Sequence, residues 1–131
     1  MRSIFQNPTA RRLGIALAAL VWNGMVFALI KEQMDPVAAQ TLTDDYRDFI
    51  DIRPIWELAA ANLTYVAGLL GALLMAANRR SAVWAFGLST LAAAITVIPT
   101  FVLGPAIIGA IMVVVTLVAA LFTWLARKRF R

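Results

Sequence analysis

One carboxylate stands inside an otherwise apolar stretch, and it has the clearest capacity for chemistry in this sequence. Glu57 lies near the start of the apolar residues 55–76. A carboxylate at membrane depth is costly, and it commonly carries protons or binds cations. Glu57 also follows Pro54 by three residues and Arg53 by four, which suits a first-turn ion pair. The sequence therefore supports two interpretations, a proton or cation site and a structural Arg53–Glu57 pair.

Three further polar side chains fall within apolar stretches. Asn23 lies in the first stretch, and Asn62 and Thr64 lie in the second. Each side chain needs a hydrogen-bond partner inside the protein, because lipid offers none. We expect these groups to hydrogen-bond between helices and so to fix which helices are neighbours. Binding of a solute is the alternative.

The residues used for most covalent and metal chemistry are missing. The chain has no cysteine and no histidine, which excludes thiol nucleophiles, disulfides, imidazole ligands for zinc or haem, and the Ser-His-Asp triad. A cluster of aspartates could support metal-assisted hydrolysis if its oxygens converged. It consists of Asp44, Asp45, Asp48 and Asp51. Their helical phase spreads them apart, so we predict no enzyme activity, no metal site and no cofactor.

The elements that must position these side chains are membrane-spanning helices. Of the 131 residues, 62% are hydrophobic and 15% are charged, whereas soluble domains have about 25% charge. Four apolar stretches cover residues 13–30, 55–76, 82–98 and 103–126. A helix of about 20 residues crosses the hydrocarbon core, so the first and third are slightly short. We predict an all-α polytopic membrane protein, a four-transmembrane-helix antiparallel bundle in a single domain.

The connections predict how these helices follow one another. Residues 77–81 form a short polar link, which makes the second and third helices antiparallel neighbours. Pro99 and Pro105 fall in the last connection. Proline interrupts a helix but fits the first turn of the next, so we expect a tight hairpin with the third helix ending at Ile98.

The one long connection, residues 31–54, carries most of the acidic residues. Its apolar residues recur at helical spacing with charged residues on the other side, which predicts a short amphipathic periplasmic helix. Thr43 is the candidate N-cap, and the two aspartates after it suit the positive end of the helix dipole. An irregular polar loop is the alternative.

Small residues recur at helical spacing and predict faces that contact other helices. On the second helix they form one face with Glu57, which we call the small-residue stripe. The stripe consists of Glu57, Ala61, Thr64, Gly68 and Gly71. Further candidates for close helix packing are Gly87, Gly109 and Thr116.

Charge is distributed unequally between the two sides of the predicted bundle. One side carries nine cations and no acid, and the other carries three cations and six acids. The nine cations are Arg2, Arg11, Arg12, Arg79, Arg80, Arg127, Lys128, Arg129 and Arg131. The positive-inside rule then places both termini in the cytoplasm. These cations flank helix ends, where they attract anionic lipid headgroups, so we predict no nucleic-acid binding. Residues 127–131 could also dock a cytoplasmic partner.

A loose set of aromatic, glycine and arginine positions resembles a group of short four-helix bacterial membrane proteins often labelled sugar transporters. The positions are Trp22-Asn23, Pro54-Ile55-Trp56, Gly68, Gly71, Arg79-Arg80 and Ala82-Val83. The resemblance covers roughly residues 13–91 and implies a single-domain bacterial inner-membrane protein. It supplies no ligand-binding motif, so Asn23, Arg53 and Glu57 are candidates on chemical grounds alone.

Two functions are compatible with this architecture. Four short helices with small-residue faces favour an accessory or scaffolding subunit of a membrane complex. Independently of function, the expected partners are the bilayer and a membrane protein or a second copy of the chain. The alternative is a small oligomeric solute transporter or channel, with Glu57, Asn23, Asn62 and Thr64 lining a polar path. The small-residue stripe distinguishes them, because it faces water in a transporter and protein in a subunit.

Overall fold

The computed structural model describes residues 7–34, 52–103 and 106–130, and its regular elements are all helices. They are α1 (Pro8–Met34), α2 (Ile55–Ala76), α3 (Ala82–Leu103) and α4 (Ala106–Arg129). All four are long and apolar enough to cross a membrane, and they pack against one another. The prediction of an all-helical multi-pass membrane protein is therefore confirmed. The amphipathic helix predicted after Thr43 lies outside the described residues.

Helix α1 is longer at both ends than the apolar stretch 13–30. The Asn7 Oδ1 accepts hydrogen bonds from the backbone N–H of Thr9 at 3.0 Å and of Ala10 at 3.4 Å. Asparagine is a favoured N-cap, and Pro8 fits the first helical position because its missing N–H is not needed there. The prediction of a slightly short first helix is therefore wrong, because hydropathy marks the apolar length and not the capped ends.

Pro99 lies inside α3, so the prediction that the third helix ends at Ile98 is wrong. The Thr96 hydroxyl donates to the carbonyl of Ala93 at 2.7 Å, and the Thr100 hydroxyl donates to the carbonyls of Thr96 and Val97, both at 2.9 Å. None of these bonds reaches the Ile95 carbonyl, which loses its backbone donor to Pro99. Proline is nevertheless more frequent inside transmembrane helices than inside soluble ones. Helix α3 therefore continues to Leu103, and α4 begins at Ala106 rather than at 103.

A tight turn joins α2 to α3 and makes them antiparallel neighbours, as predicted. The N–H of Arg79 donates to the carbonyl of Leu74 at 2.8 Å, and the N–H of Asn78 donates to that of Met75 at 3.1 Å. This is the hydrogen-bond pattern of a Schellman motif. Asn78 has φ 58°, a left-handed conformation that asparagine adopts more readily than most residues.

The helices pack in chain order, α1 on α2, α2 on α3 and α3 on α4, whereas α1 and α4 touch over a smaller area. One buried cluster fills the end where α2 turns into α3, which we call the basic end. It consists of Ala16, Ala19, Ala72, Met75, Ala82, Phe86, Phe122 and Ala126. A second cluster fills the opposite half, toward the loop end, where α1 ends and α2 begins. It consists of Val26, Ile30, Ala61, Ala93, Met112 and Val115.

Glycines mark close contacts between helices. A Cβ added to Gly68 of α2 would overlap the carboxamide of Asn23 in α1, and one added to Gly71 would lie 2.7 Å from the Phe86 ring of α3. At Gly109 of α4 an added Cβ would lie 2.6 Å from the ring of Phe101. Gly87 lacks the predicted packing role, because an added Cβ there would meet nothing within 4 Å.

The contact between Gly68 of α2 and Asn23 of α1 predicts that a side chain at position 68 destabilises the bundle. Gly68→Ala should destabilise the bundle by about 1–3 kcal/mol, because the added methyl group must displace the Asn23 carboxamide. The matched control Gly87→Ala should leave stability unchanged or raise it by up to about 1 kcal/mol. Reversible unfolding in detergent micelles, followed by circular dichroism, measures both changes.

The double variant Asn23→Ala/Gly68→Ala isolates the contact itself. Removal of the carboxamide leaves room for the methyl group, so Gly68→Ala should cost less in the Asn23→Ala background than in the native chain. An equal cost in both backgrounds would contradict the assigned contact.

Candidate functional site

The Arg53 and Glu57 side chains form an ion pair at the start of α2. Pro54 precedes the helix in an extended conformation, and its carbonyl accepts the N–H groups of Glu57 at 3.1 Å and Leu58 at 3.2 Å. This first turn brings Arg53 over Glu57. The Nε of Arg53 donates to Oε2 of Glu57, and its Nη2 donates to Oε1 at 3.0 Å. Both carboxylate oxygens therefore accept from one guanidinium.

The pair is enclosed by protein. The Glu57 side chain is 0% exposed, and the Arg53 side chain is 5% exposed. A buried carboxylate is tolerated when a hydrogen-bonded cation accompanies it, and the positive end of the α2 dipole adds to that stabilisation. The geometry therefore favours the structural interpretation of Glu57 over the proton or cation site.

The rest of the small-residue stripe is packed against other helices. Ala61, Thr64, Gly68 and Gly71 are all buried. The Ser89 hydroxyl of α3 donates to the Thr64 carbonyl at 2.7 Å. Gly68 packs against Asn23 of α1, and Gly71 packs against Phe86 of α3. Within the described part of the chain, the stripe faces protein and not an open cavity.

The amides and Thr64 bond within their own helices, so the predicted hydrogen bonds between helices from these groups are wrong. Asn23 Nδ2 donates to the Ala19 carbonyl at 2.8 Å. In α2, Asn62 Nδ2 donates to the Leu58 carbonyl at 2.8 Å, and the Thr64 hydroxyl donates to the Ala60 carbonyl at 3.0 Å. A carbonyl one turn back always lies within reach of these short side chains, and it competes with any partner on another helix.

Hydroxyl groups that hydrogen-bond between helices come instead from α3. In addition to the Ser89 contact with α2, the Thr90 hydroxyl lies 3.1 Å from the Thr123 hydroxyl of α4. The sequence identifies these residues only as small, because their hydroxyls show no partner until the helices are placed. Thr116, the predicted packing residue of α4, donates to the Met112 carbonyl of its own helix at 2.8 Å.

A cleft of about 540 Å³ lies between the start of α1 and the end of α4, and we call it the basic cleft. Four of the described residues that line it are cations and none is an acid. The lining residues are Pro8, Arg11, Arg12, Ile15, Leu125, Lys128 and Arg129. The cleft was not predicted from the sequence, where the available signal was a cationic pair at 11–12 and another at 128–129 on the same side of the predicted bundle.

Arg12 links this cleft to α2. Its Nη1 donates to the carbonyls of Met75, at 3.1 Å, and Ala76, so it caps the last turn of α2. A cation at a helix C-terminus is also favoured by the helix dipole. The Nε of Arg12 is buried and has no hydrogen-bond partner among the described residues.

At the other half of the bundle, α1 and α4 leave an open cavity of about 590 Å³ between them, which we call the apolar groove. Its lining is almost entirely hydrophobic, with one acid at the loop end. The lining residues are Trp22, Met25, Val26, Ala28, Leu29, Glu32, Ile107, Ala110, Ile111, Val114 and Val115. The groove offers apolar contact area and little capacity for chemistry.

No group of three potential metal-ligating side chains occurs in residues 7–34, 52–103 and 106–130. The aspartate cluster considered for metal-assisted hydrolysis, Asp44 to Asp51, lies outside those ranges.

The buried ion pair predicts unequal effects of neutral substitutions. Arg53→Gln should destabilise the protein by roughly 3 kcal/mol, because it leaves the Glu57 carboxylate buried without its cation. Arg79→Gln removes an exposed cation and should change stability by no more than about 0.5 kcal/mol. Detergent unfolding curves compare the two. Equal, small effects would show that Arg53 does not stabilise the Glu57 carboxylate.

Comparison with known proteins finds no matching family model, no similar curated protein and no similar solved structure. The resemblance to short four-helix bacterial membrane proteins therefore stays a prediction from the residues quoted for it.

Proposed function

We propose that this protein is a non-enzymatic accessory or scaffolding subunit of a membrane complex. The observation that carries the proposal is the packed state of the small-residue stripe. Its one carboxylate is paired with Arg53, and its two glycines accommodate Asn23 and Phe86 of the neighbouring helices. The polar and small groups of α2 therefore hold the bundle together.

A transporter or channel would need the same groups for a different purpose. Glu57, Asn23 and Thr64 would have to face water along a continuous path, yet all three are buried. Asn62, the fourth residue of that path, is half-buried and bonds to Leu58 and Tyr65 of its own helix. A path between the protomers of an oligomer would have to use the outer faces of the helices instead. Those faces carry large apolar side chains such as Leu17, Leu73 and Leu91, which do not stabilise a polar solute.

The apolar groove is the face we propose for the partner, and its occupant is a transmembrane helix of another subunit. Ala28 of α1 and Ala110 of α4 are exposed within it. Small residues let the backbone of an incoming helix approach closely, which is how helices associate in lipid. The larger side chains of Met25, Ile107 and Val114 are also exposed there and supply the surrounding packing contacts.

The membrane we propose is a bacterial inner membrane, with the basic end in the cytoplasm. The described ends of α1 and α4 and the α2–α3 turn carry seven cations there. They are Arg11, Arg12, Arg79, Arg80, Arg127, Lys128 and Arg129. Lysine and arginine near helix ends set orientation by remaining in the cytoplasm, so both termini of the chain are cytoplasmic.

Site-specific photo-crosslinking tests the subunit proposal. A photoreactive amino acid at Val114, 50% exposed in the apolar groove, should give one discrete protein adduct in native membranes, and Met25 should give an adduct of the same mass. Leu91 of α3 is 59% exposed outside the groove and serves as the matched control, which should give none.

The mass of the adduct decides between occupants. A partner of different mass, recovered in equal amount with the tagged chain in gentle detergent, supports the subunit proposal. An adduct at twice the mass of the chain identifies a second copy and contradicts an accessory role. Protein adducts of equal yield at all three positions would show that the groove is not a docking site.

A further inference from the structure

The basic cleft gathers cations from the two ends of the chain. Arg11 and Arg12 come from the first turns of α1, and Lys128 and Arg129 come from the last turn of α4. Like charges repel when they line a common cleft, so this arrangement is stabilised when an anion lies between them. Among the described lining residues, no acid accompanies Arg12, Lys128 and Arg129.

Arg12 is held in place before any anion arrives. Its bonds to the carbonyls of Met75 and Ala76 fix the guanidinium at the junction of α1 and α2. The same side chain lines the cleft. A planar guanidinium held in one orientation is suited to the oxygens of a phosphate group.

The cleft is also amphipathic. Ile15 and Leu125 line it together with the cations, and both pack against the buried cluster at the basic end. Lys128 Nζ lies 5.2 Å from the centre of the Trp124 ring, a side chain typical of the membrane interface. Cations beside apolar side chains at the end of a membrane-spanning bundle match a lipid headgroup with the start of its acyl chains.

A second cleft at the same end differs in its charge. It has a volume of about 510 Å³ and includes two cations, Arg80 and Arg127, beside the aromatic side chains of Trp84 and Phe130. General attraction between the basic end and anionic lipids would act at both clefts. The basic cleft has four cations, and Arg12 is already fixed there by its bonds to α2, so this cleft is the better candidate for a specific anion site.

We propose that the basic cleft binds the phosphate group of an anionic phospholipid. Arg12, Lys128 and Arg129 supply the donors, and Ile15 and Leu125 contact the lipid below its headgroup. The shared chemistry is a phosphate group, so a free phosphate from solution could occupy the same donors. This inference does not depend on the identity of any partner in the apolar groove.

Lipid retention measured by native mass spectrometry tests the site. The full chain is reconstituted in phosphatidylcholine vesicles with a minor fraction of phosphatidylglycerol and then released in mild detergent. The native protein should retain one phosphatidylglycerol. The variant Lys128→Gln/Arg129→Gln should lower that affinity about tenfold or more, since it removes two of the three side chains that donate to the bound phosphate.

The control Arg79→Gln/Arg80→Gln removes the same charge from the same end of the bundle but lies outside the basic cleft. It should change retention by less than about twofold if the site is specific. All four substituted side chains are exposed, so both variants should keep native helix content. The charge-conserving Arg129→Lys should retain most of the binding. This result would show that the neutral variants lose binding through loss of charge and not through misfolding.

Inorganic phosphate separates the two sources. If millimolar phosphate leaves phosphatidylglycerol retention unchanged, the site takes a lipid headgroup, as proposed. If phosphate displaces the lipid and raises the unfolding temperature of the native chain but not of the cleft variant, the phosphate chemistry holds and the lipid source is wrong. Equal loss of retention in both double variants, or no loss in either, would overturn the site.

Discussion

Satisfaction of polar groups inside an apolar bundle is the constraint on which the rest of this structure depends. In a hydrocarbon core, water does not compensate an unpaired amide or hydroxyl, so each must find a partner within the protein. Asn23, Asn62 and Thr100 meet this need with carbonyls of their own helices. The hydrogen-bonding groups of these side chains are thereby satisfied, and the helices associate through small residues and close packing.

That packing follows the chain, α1 on α2, α2 on α3 and α3 on α4, with consequences for both ends of the bundle. Gly68 admits α1 and Gly71 admits α3, so the three helices are tightly joined. Helix α4 packs on α3 and meets α1 over a smaller area. Helices α1 and α4 consequently leave two openings between them, the basic cleft at one end and the apolar groove at the other. The two proposed binding surfaces follow from one feature of the fold.

The helices, the α2–α3 pairing and the packed face of α2 were predictable from the sequence, and the individual side-chain contacts between helices were not. Hydropathy located the four spans, and the four-residue spacing between Arg53 and Glu57 indicated their ion pair. The caps lay outside the apolar pattern, so the extension of α1 by Asn7 was missed. Pro99 was taken as a helix end because proline ends most helices in water, whereas a transmembrane helix can continue through it. The basic cleft needs α1 beside α4, which only the fold establishes.

Water access to the small-residue stripe tests the central claim most directly. The chain has no cysteine, so a single substitution introduces a unique thiol. In membrane fragments accessible from both sides, Ala61→Cys and Thr64→Cys should stay unlabelled by a hydrophilic maleimide, because both positions are at most 1% exposed. The control Arg79→Cys, at the exposed turn, should be fully labelled. Rapid labelling of Ala61→Cys or Thr64→Cys would reveal a water-filled path along α2 and contradict the packed bundle on which the subunit proposal rests.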